Sequence, residues 1–474
     1  MTNNYISFED KELELLRNAV DSAELSVSKK MAQSQFISDI NKIVEDFIRN
    51  KKLICYGGTA INNILPIEDQ FYNKDVDIPD YDFFSTSPVE DAKELGDIYV
   101  KRGYKDVEAK AGVHHGTYKV FVNFIPVADI TLLDNEVFKS LKKEVIKVNG
   151  ILYSPPNFLR MGMYLELSRP NGDVSRWEKV LKRLILLNKN YPLNNPKCDL
   201  LSFQRDFEGN KDDEQNLYFT VRNSIIDQGL VFFGGYANTL YSKYMPYKQK
   251  KQIQQIPDFD VLTEDPITSS ILIKERLNDV GYNKVKIVKH KKIGELIDEH
   301  YEIIVDKDTI CILYKPIACH SYNTIKINNK TVKVASIDTM LSFYLAFLYS
   351  NRPYVDKHRL LCMAQYLFHV QSKNRLKQKG LLTRFSINCY GSQETMEDIR
   401  TQKAAKFQEL KSKRNSKEYE EYFLRYTPSD ESKNIKPQTK KSKTKKSKTK
   451  KSKTKKSKKT KKSTFNKLKK KLGL

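Results

Sequence analysis

Two aspartates separated by one residue open the apolar stretch "PDYDFF", Asp80 and Asp82. On a strand, residues i and i+2 point to the same face, so the two carboxylates stand side by side. Carboxylates that close repel, and a divalent cation between them is the natural resolution. A third acid, Asp129, sits inside the apolar run "PVADITLL", where an unused charge is costly. Asp134, at the end of that run, is the alternative third acid. Upstream, "CYGGTAINNILP" places Gly57, Gly58 and Thr59 where a short apolar strand turns into a helix. Glycines allow close backbone approach, helix-start N–H groups favour a phosphate, and Thr59 adds a hydroxyl. Each feature alone has a plainer reading as a turn, an acidic loop or a satisfied buried acid. Together, in this order, they suit transfer of a phosphorus group between two metal ions that clamp the attacking and leaving oxygens.

Such residues need strands and a helix to hold them. "FISDINKIVEDFIRN" carries a helical apolar stripe from Phe36 to Ile48, within a helical region over 7–50. "KLICYGG" then reads as a short strand and "TAINNIL" as a short helix. "DYDFFS" has strand character, "PVEDAKELGDIYVKRGY" is a helix opened by a proline, and "YKVFVNFIPVADITLLD" forms two further strands. The result is an α/β unit over about 35–150, followed by the amphipathic helix "SRWEKVLKRLILLNKNY".

The pattern recurs. "LVFFGGYANTLY" (230–241) repeats "LICYGGTAINNI", and "IPDFDVL" (256–262) repeats "IPDYDFF" (78–84). From second glycine to first aspartate the interval is 22 residues in the first copy and 23 in the second. "YKPIACHSY" (314–322) aligns with "FIPVADITL" (124–132), and residues 343–368 echo 163–187. A tandem duplication is expected, each copy an α/β unit with a helical follow-on.

The net charge of +25 is unevenly distributed. From Lys433 onward there are 21 lysines and no acid, so of 83 basic residues 62 face the 58 acids of the rest, about +4. That low-complexity tail is expected to be disordered and to retain RNA by counterion release without reading sequence. The six cysteines show no C-x-x-C spacing, which predicts unpaired thiols in a reducing compartment. The first residues carry acids where a secretory signal needs lysines and an apolar stretch, and no run reaches membrane-span length. A soluble intracellular protein with no membrane contact is expected.

GG followed by a hydroxyl residue, then a D-x-D strand, then a strand-borne third acid resembles the polymerase-β-like nucleotidyltransferase superfamily. "YGGTAINNILP", "VDIPDYDFFS", "VADITLLD" and "YLELSRPNGDVSRWEKVLKRLILLN" narrow the resemblance to the poly(A) polymerase catalytic subunits of large cytoplasmic DNA viruses, over roughly residues 30–425. The resemblance implies Asp80, Asp82 and Asp129 as ligands of two Mg2+ or Mn2+ ions, and Gly57, Gly58 and Thr59 as the phosphate site for ATP. It implies an RNA 3′ end as acceptor, a homodimer or a processivity subunit as partner, and the host cytoplasm (viral factory) or the virion as location. Arg176, Lys179 and Arg183, with Lys182 beside them, share a helical face that suits a triphosphate. The second copy keeps Gly234, Gly235, Asp258 and Asp260 but has Tyr236 at the place of Thr59 and Cys319 at that of Asp129, so it is expected not to catalyse.

The expected organisation is an N-terminal helical segment (1–34), a catalytic domain (35–150), a helical module (151–222), a degenerate nucleotidyltransferase-like domain (223–335), a C-terminal helical region (336–427) and the tail (428–474). The leading activity is template-independent adenylate addition to RNA. Another nucleotidyltransferase (CCA-adding, uridylyl or protein-nucleotidylating) and a non-catalytic RNA-binding virion protein are the alternatives.

Overall fold

A computed structural model of the chain describes residues 8–73, 75–193, 198, 211–246 and 258–428. The expected lysine-rich tail lies, beyond its first residue, outside the described residues. Helices α1 (Phe8–Ala32) and α2 (Gln35–Lys51) come first. α2 buries Ile37, Ile40, Val44, Phe47 and Ile48 along the one stripe that its apolar spacing dictates.

The first sheet contains β1 (Ile54–Cys55), β2 (Tyr81–Ser85), β3 (Val107–Ala111), β4 (Thr117–Val122), β5 (Ile125–Leu132), β6 (Ile146–Val148), β7 (Ile151–Tyr153) and β16 (Arg425–Tyr426). Their spatial order is β16-β3-β4-β5-β2-β1-β7-β6. β2 runs parallel to β5 and β1 parallel to β7, and the other neighbours are antiparallel. The two-residue period of β4 decides which face meets the core. Tyr118, Val120 and Val122 are buried on the side covered by α2 and α4 (Pro88–Lys101), while Thr117, Lys119 and Phe121 lie half-buried on the other. The chemistry of the chain belongs to that second, open face.

The second sheet contains β8 (Val231–Phe233), β9 (Phe259–Leu262), β10 (Val285–His290), β11 (His300–Val305), β12 (Asp308–Tyr314), β13 (His320–Ile327), β14 (Lys330–Ala335) and β15 (Cys389–Tyr390). Its order is β10-β11-β12-β9-β8-β14-β13-β15. Seven strands thus follow the order seen in the first sheet, with β9 parallel to β12 and β8 parallel to β14. Helices α6 (Pro156–Leu167) and α7 (Trp177–Asn190) follow the first sheet, and α11 (Ile337–Phe347) and α12 (Lys357–Lys373) follow the second. α11 is buried at every residue and packs on α6 and α12, its buried Asp338 paired with Arg384 at 2.9 Å.

Two features depart from the sequence expectations. The region 336–427, expected as helical, also supplies β15 to the second sheet and β16 to the first, each too short to show a period. The cysteines are not all free: Cys198 bonds Cys362 and Cys319 bonds Cys389, leaving Cys55 and Cys311 as buried thiols. The bonded pairs lie 164 and 70 residues apart, so tertiary packing, not local spacing, brings them together.

Candidate active site

The parallel pairing of β2 and β5 sets Asp82 opposite Asp129, and Asp80 precedes β2 by one residue. The strand order therefore brings three acids from two segments to one place. Burial, then the charges of Asp80 and Asp129, push the Asp82 carboxyl up to about 7. Burial raises Asp80 as well, with the Asp129 charge adding and Lys119 opposing. Lys119 on β4 lies directly across from Asp129 and donates its Nζ proton to Oδ2, while Asp129 Oδ1 is buried without a hydrogen-bond partner. Lys119 was not singled out in the sequence. Its only signal there is the outward position in an alternating strand.

β1 is too short to do more than aim the turn. Gly57, at φ +74, is followed by α3 (Gly57–Ile64), and a Cβ at Gly57 would run into the Asp82 carboxylate. Thr59 is buried, and its hydroxyl donates to the Asp80 backbone carbonyl at 2.7 Å. It braces the D-x-D segment, a different task from the phosphate contact expected. A side chain at Gly58 would meet Tyr72 Oη and, at 2.9 Å, Arg183 Nη1. Arg183 donates to Tyr72 Oη at 2.9 Å, and its guanidinium lies 4.8 Å from the Phe71 ring centroid. Asn62 Oδ1 accepts from the Phe71 and Tyr72 amides at 2.8 and 2.9 Å and so fixes that loop against the turn.

Of the four cations on or beside α7, Arg183 is thus the one at the glycine turn. Arg176 stands within electrostatic reach of Asp82 and pairs with Glu166 at 3.1 Å. Lys182 pairs with Glu178 at 2.6 Å, and Lys179 is exposed. Asp134 is not an acid of the site: its carboxylate caps α5 (Asn135–Lys142), accepting from the Glu136 and Val137 amides.

The raised Asp82 pKa carries a sign for stability. A carboxyl whose folded pKa lies above its usual value near 4 stabilises the fold below that value, and this is lost as pH rises through about 7. In metal-free buffer, Asp82→Asn is therefore expected to melt like wild type near pH 4 and above it at pH 8, by roughly 2–4 kcal/mol. Melting curves across that range check it. A difference that does not grow with pH would show that Asp82 carries no such strain.

The second sheet repeats the turn and the first two acids but not the third. Gly234 has φ +73, and a Cβ there would run into Asp260 as one at Gly57 would into Asp82. The residue facing Asp260 from the neighbouring parallel strand is Ile312. Cys319, aligned by its sequence string with Asp129, instead falls just before β13 and is disulfide-bonded, because β12 ends earlier than that alignment assumes. Tyr236 does not crowd a phosphate pocket. Its buried ring packs 4.6 Å from Phe232 and 5.5 Å from Phe259. Arg359 Nη2 meets Asp258 Oδ1 at 2.8 Å, with the two side chains 8% and 7% exposed. Arg359 stands seven residues after the Arg352-Pro353 pair, as Arg176 does after Arg169-Pro170. One position therefore neutralises the acid pair directly in the second unit, whereas in the first it pairs with Glu166.

Hard carboxylate oxygens, a buried Asp129 Oδ1 without a hydrogen-bond partner and the raised Asp80 and Asp82 carboxyls fit a hard divalent cation. In the conformation described, with Lys119 on Asp129, no group of three or more His, Cys, Asp or Glu side chains among the described residues is arranged around one ion position.

Residues 42–173 match the family model described as "Poly(A) polymerase catalytic subunit". The chain is 32% identical over 196 residues to a "Putative poly(A) polymerase catalytic subunit" of Acanthamoeba polyphaga mimivirus, covering 40% of this chain and 32% of that protein. It is 33% identical over 180 residues to its namesake in African swine fever virus (isolate Pig/Kenya/KEN-50/1950), covering 37% and 38%. The matched region thus spans about a third of the length of these curated relatives. The fold is shared with the crystal structure of the Megavirus polyadenylate synthase, at TM-score 0.73 and 22% identity over 86% of this chain and 85% of that one. Asp80, Asp82, Asp129 and the glycine turn all fall inside residues 42–173, the segment similar to the poly(A) polymerase catalytic subunit family.

Proposed function

We propose that the chain is a template-independent RNA 3′-adenylyltransferase, a poly(A) polymerase. The observation that carries this reading is the convergence of Asp80, Asp82 and Asp129 beside a glycine turn whose own Cβ-free backbone touches Asp82. When bound to those acids, Mg2+ or Mn2+ supplies Lewis-acid polarisation of the reacting phosphate and lowers the barrier to deprotonating the attacking hydroxyl. The chain's own residues do the positioning. Gly57 and Gly58 let Asp82, Tyr72 and Arg183 close on the backbone at the start of α3, so that Arg183, held by Tyr72 and Phe71, offers a planar cation for ATP phosphates at the turn. Thr59 locks the turn to the Asp80 backbone, so phosphate site and acids keep a fixed distance. Lys119 keeps Asp129 neutralised until a cation competes for it.

The second unit is read as a scaffold without transfer activity, since Ile312 supplies no third ligand and Arg359 already neutralises Asp258. The substrate pair is RNA and ATP. Incubating the protein with an RNA oligonucleotide, each of the four NTPs in turn and Mg2+ or Mn2+ decides among the readings. Extension by ATP in preference to the others is expected. Preference for another nucleotide assigns a different nucleotidyltransferase, and no extension by any of them removes the enzymatic reading.

A further inference from the structure

The register of the first sheet places one residue from each of five strands in a single row across its open face. Asp82 faces Asp129, Asp129 faces Lys119, Lys119 faces Lys110, and Lys110 faces Arg425. Directly opposed residues share a face, so the row begins as two acids and continues as three cations to the edge strand β16. At about 4.8 Å per strand, Asp129 to Arg425 spans about 14 Å. The row leaves the acids on the β5 side. The glycine turn and Arg183 lie on the other side of β2, the side of β1.

That placement matters for the proposed reaction. Phosphoryl transfer brings attacking and leaving oxygens in line, from opposite sides of the reacting phosphorus. The pyrophosphate end of ATP has its cation on the β1 side, so the acceptor strand must arrive from the β5 side, along the row. Resting on the adenylyltransferase reading, we propose that Lys119, Lys110 and Arg425 form a track for the backbone phosphates of single-stranded RNA, leading its 3′ end to Asp129. Backbone contacts of this kind position a strand without reading its sequence, as a polymerase without a template requires.

Lys110 and Arg425 are available for the task, with side chains 43% and 85% exposed. Lys110 Nζ stands 4.0 Å from the Phe121 ring centroid, which limits where the ammonium can go. Glu108 opposes the track: it meets Lys110 Nζ at 3.3 Å and Arg425 Nε at 3.3 Å. Exposed pairs like these are weak, so phosphates displace the carboxylate readily. Lys119 is already committed to Asp129, so the phosphates of the strand engage chiefly the two outer cations.

The test uses the full chain, tail included, so that its 21 lysines contribute equally to every protein compared. In RNA extension assays, Lys110→Ala/Arg425→Ala is expected to raise KM for the oligonucleotide about tenfold and leave KM for ATP unchanged. Its log KM against log salt should be shallower by about 1.4, for two lost phosphate contacts on a single strand. Uncharged methylphosphonate linkages close to the 3′ end should weaken wild type but not the double variant. Glu108→Gln should lower KM for RNA. A double variant that keeps the wild-type KM, salt slope and methylphosphonate sensitivity overturns the track while leaving the adenylyltransferase reading intact. If wild type extends no RNA at all, that reading fails and the track fails with it.

Discussion

Asp82→Asn is expected to lower nucleotide addition by about three orders of magnitude or more while yielding a protein at least as stable as wild type. Asp82 is the most strained of the three acids, with burial and two neighbouring carboxylates raising its pKa to about 7. Asparagine keeps its shape and removes the charge. The loss to catalysis is that of a ligand and of the several kcal/mol a bound cation contributes to the transition state. The gain to the metal-free fold is the relief of that strain. Opposite signs in the two measurements are the mark of a site kept for chemistry at the expense of stability. Rates under saturating ATP and RNA, read with melting temperatures of the same preparations, check both halves. An active Asp82→Asn protein would remove Asp82 from the metal site. Adding Mg2+ should raise the melting temperature of wild type alone, because binding to the folded state stabilises by mass action.

The second large effect lies far from the reacting atoms. Arg359→Met is expected to destabilise the protein by about 3–5 kcal/mol, because it removes the counter-charge of a carboxylate buried with it. In a chain of this size that corresponds to a fall of roughly 3–5 °C in melting temperature. Arg359→Met/Asp258→Asn should recover most of the loss, since removing both charges of a buried pair is far cheaper than removing one. At temperatures where the single variant stays folded, RNA extension should continue at close to the wild-type rate, as expected of a unit that scaffolds. Thermal melts of both variants measure the first claim, and the extension assay the second. A single variant that melts with wild type would show that the pair holds nothing together.

How much of this was legible follows from where the information lies. The acids of the first unit and the glycine turn were readable because each motif is local, although the parallel pairing of β2 and β5 that joins the acids is long-range. The helices α2, α4 and α7 were readable from spacing and, for α4, from the proline at its start. Lys119 was not, because a lysine in an alternating strand looks the same whether it faces water or an aspartate. The place of Ile312 was missed for a related reason. Matching sequence strings put Cys319 beside Asp129, but strand register, set by where β12 ends, puts Ile312 there. The row from Asp129 to Arg425 requires three registers at once, one of them between residues 315 positions apart by number. The disulfides are tertiary in the same sense. Thr59 shows the limit of a local motif: its hydroxyl donates to the Asp80 carbonyl, and a hydroxyl next to glycines fits a phosphate and a backbone carbonyl equally well.

β16 has a consequence in time as well as in space. It pairs with β3, and Tyr426 donates to Asp97 across 329 positions of sequence. At synthesis rates of about 5–20 residues per second, the strand that closes this edge leaves the ribosome on the order of half a minute after β3. Until then β3 is an open edge with its backbone donors and acceptors unpaired, a template for pairing with other chains. The acids are in place early and the edge late, so a nascent chain that stops short of residue 425 keeps its reactive centre but leaves the sheet unfinished. Completion of the sheet thus doubles as a record that translation has passed through both halves of the chain.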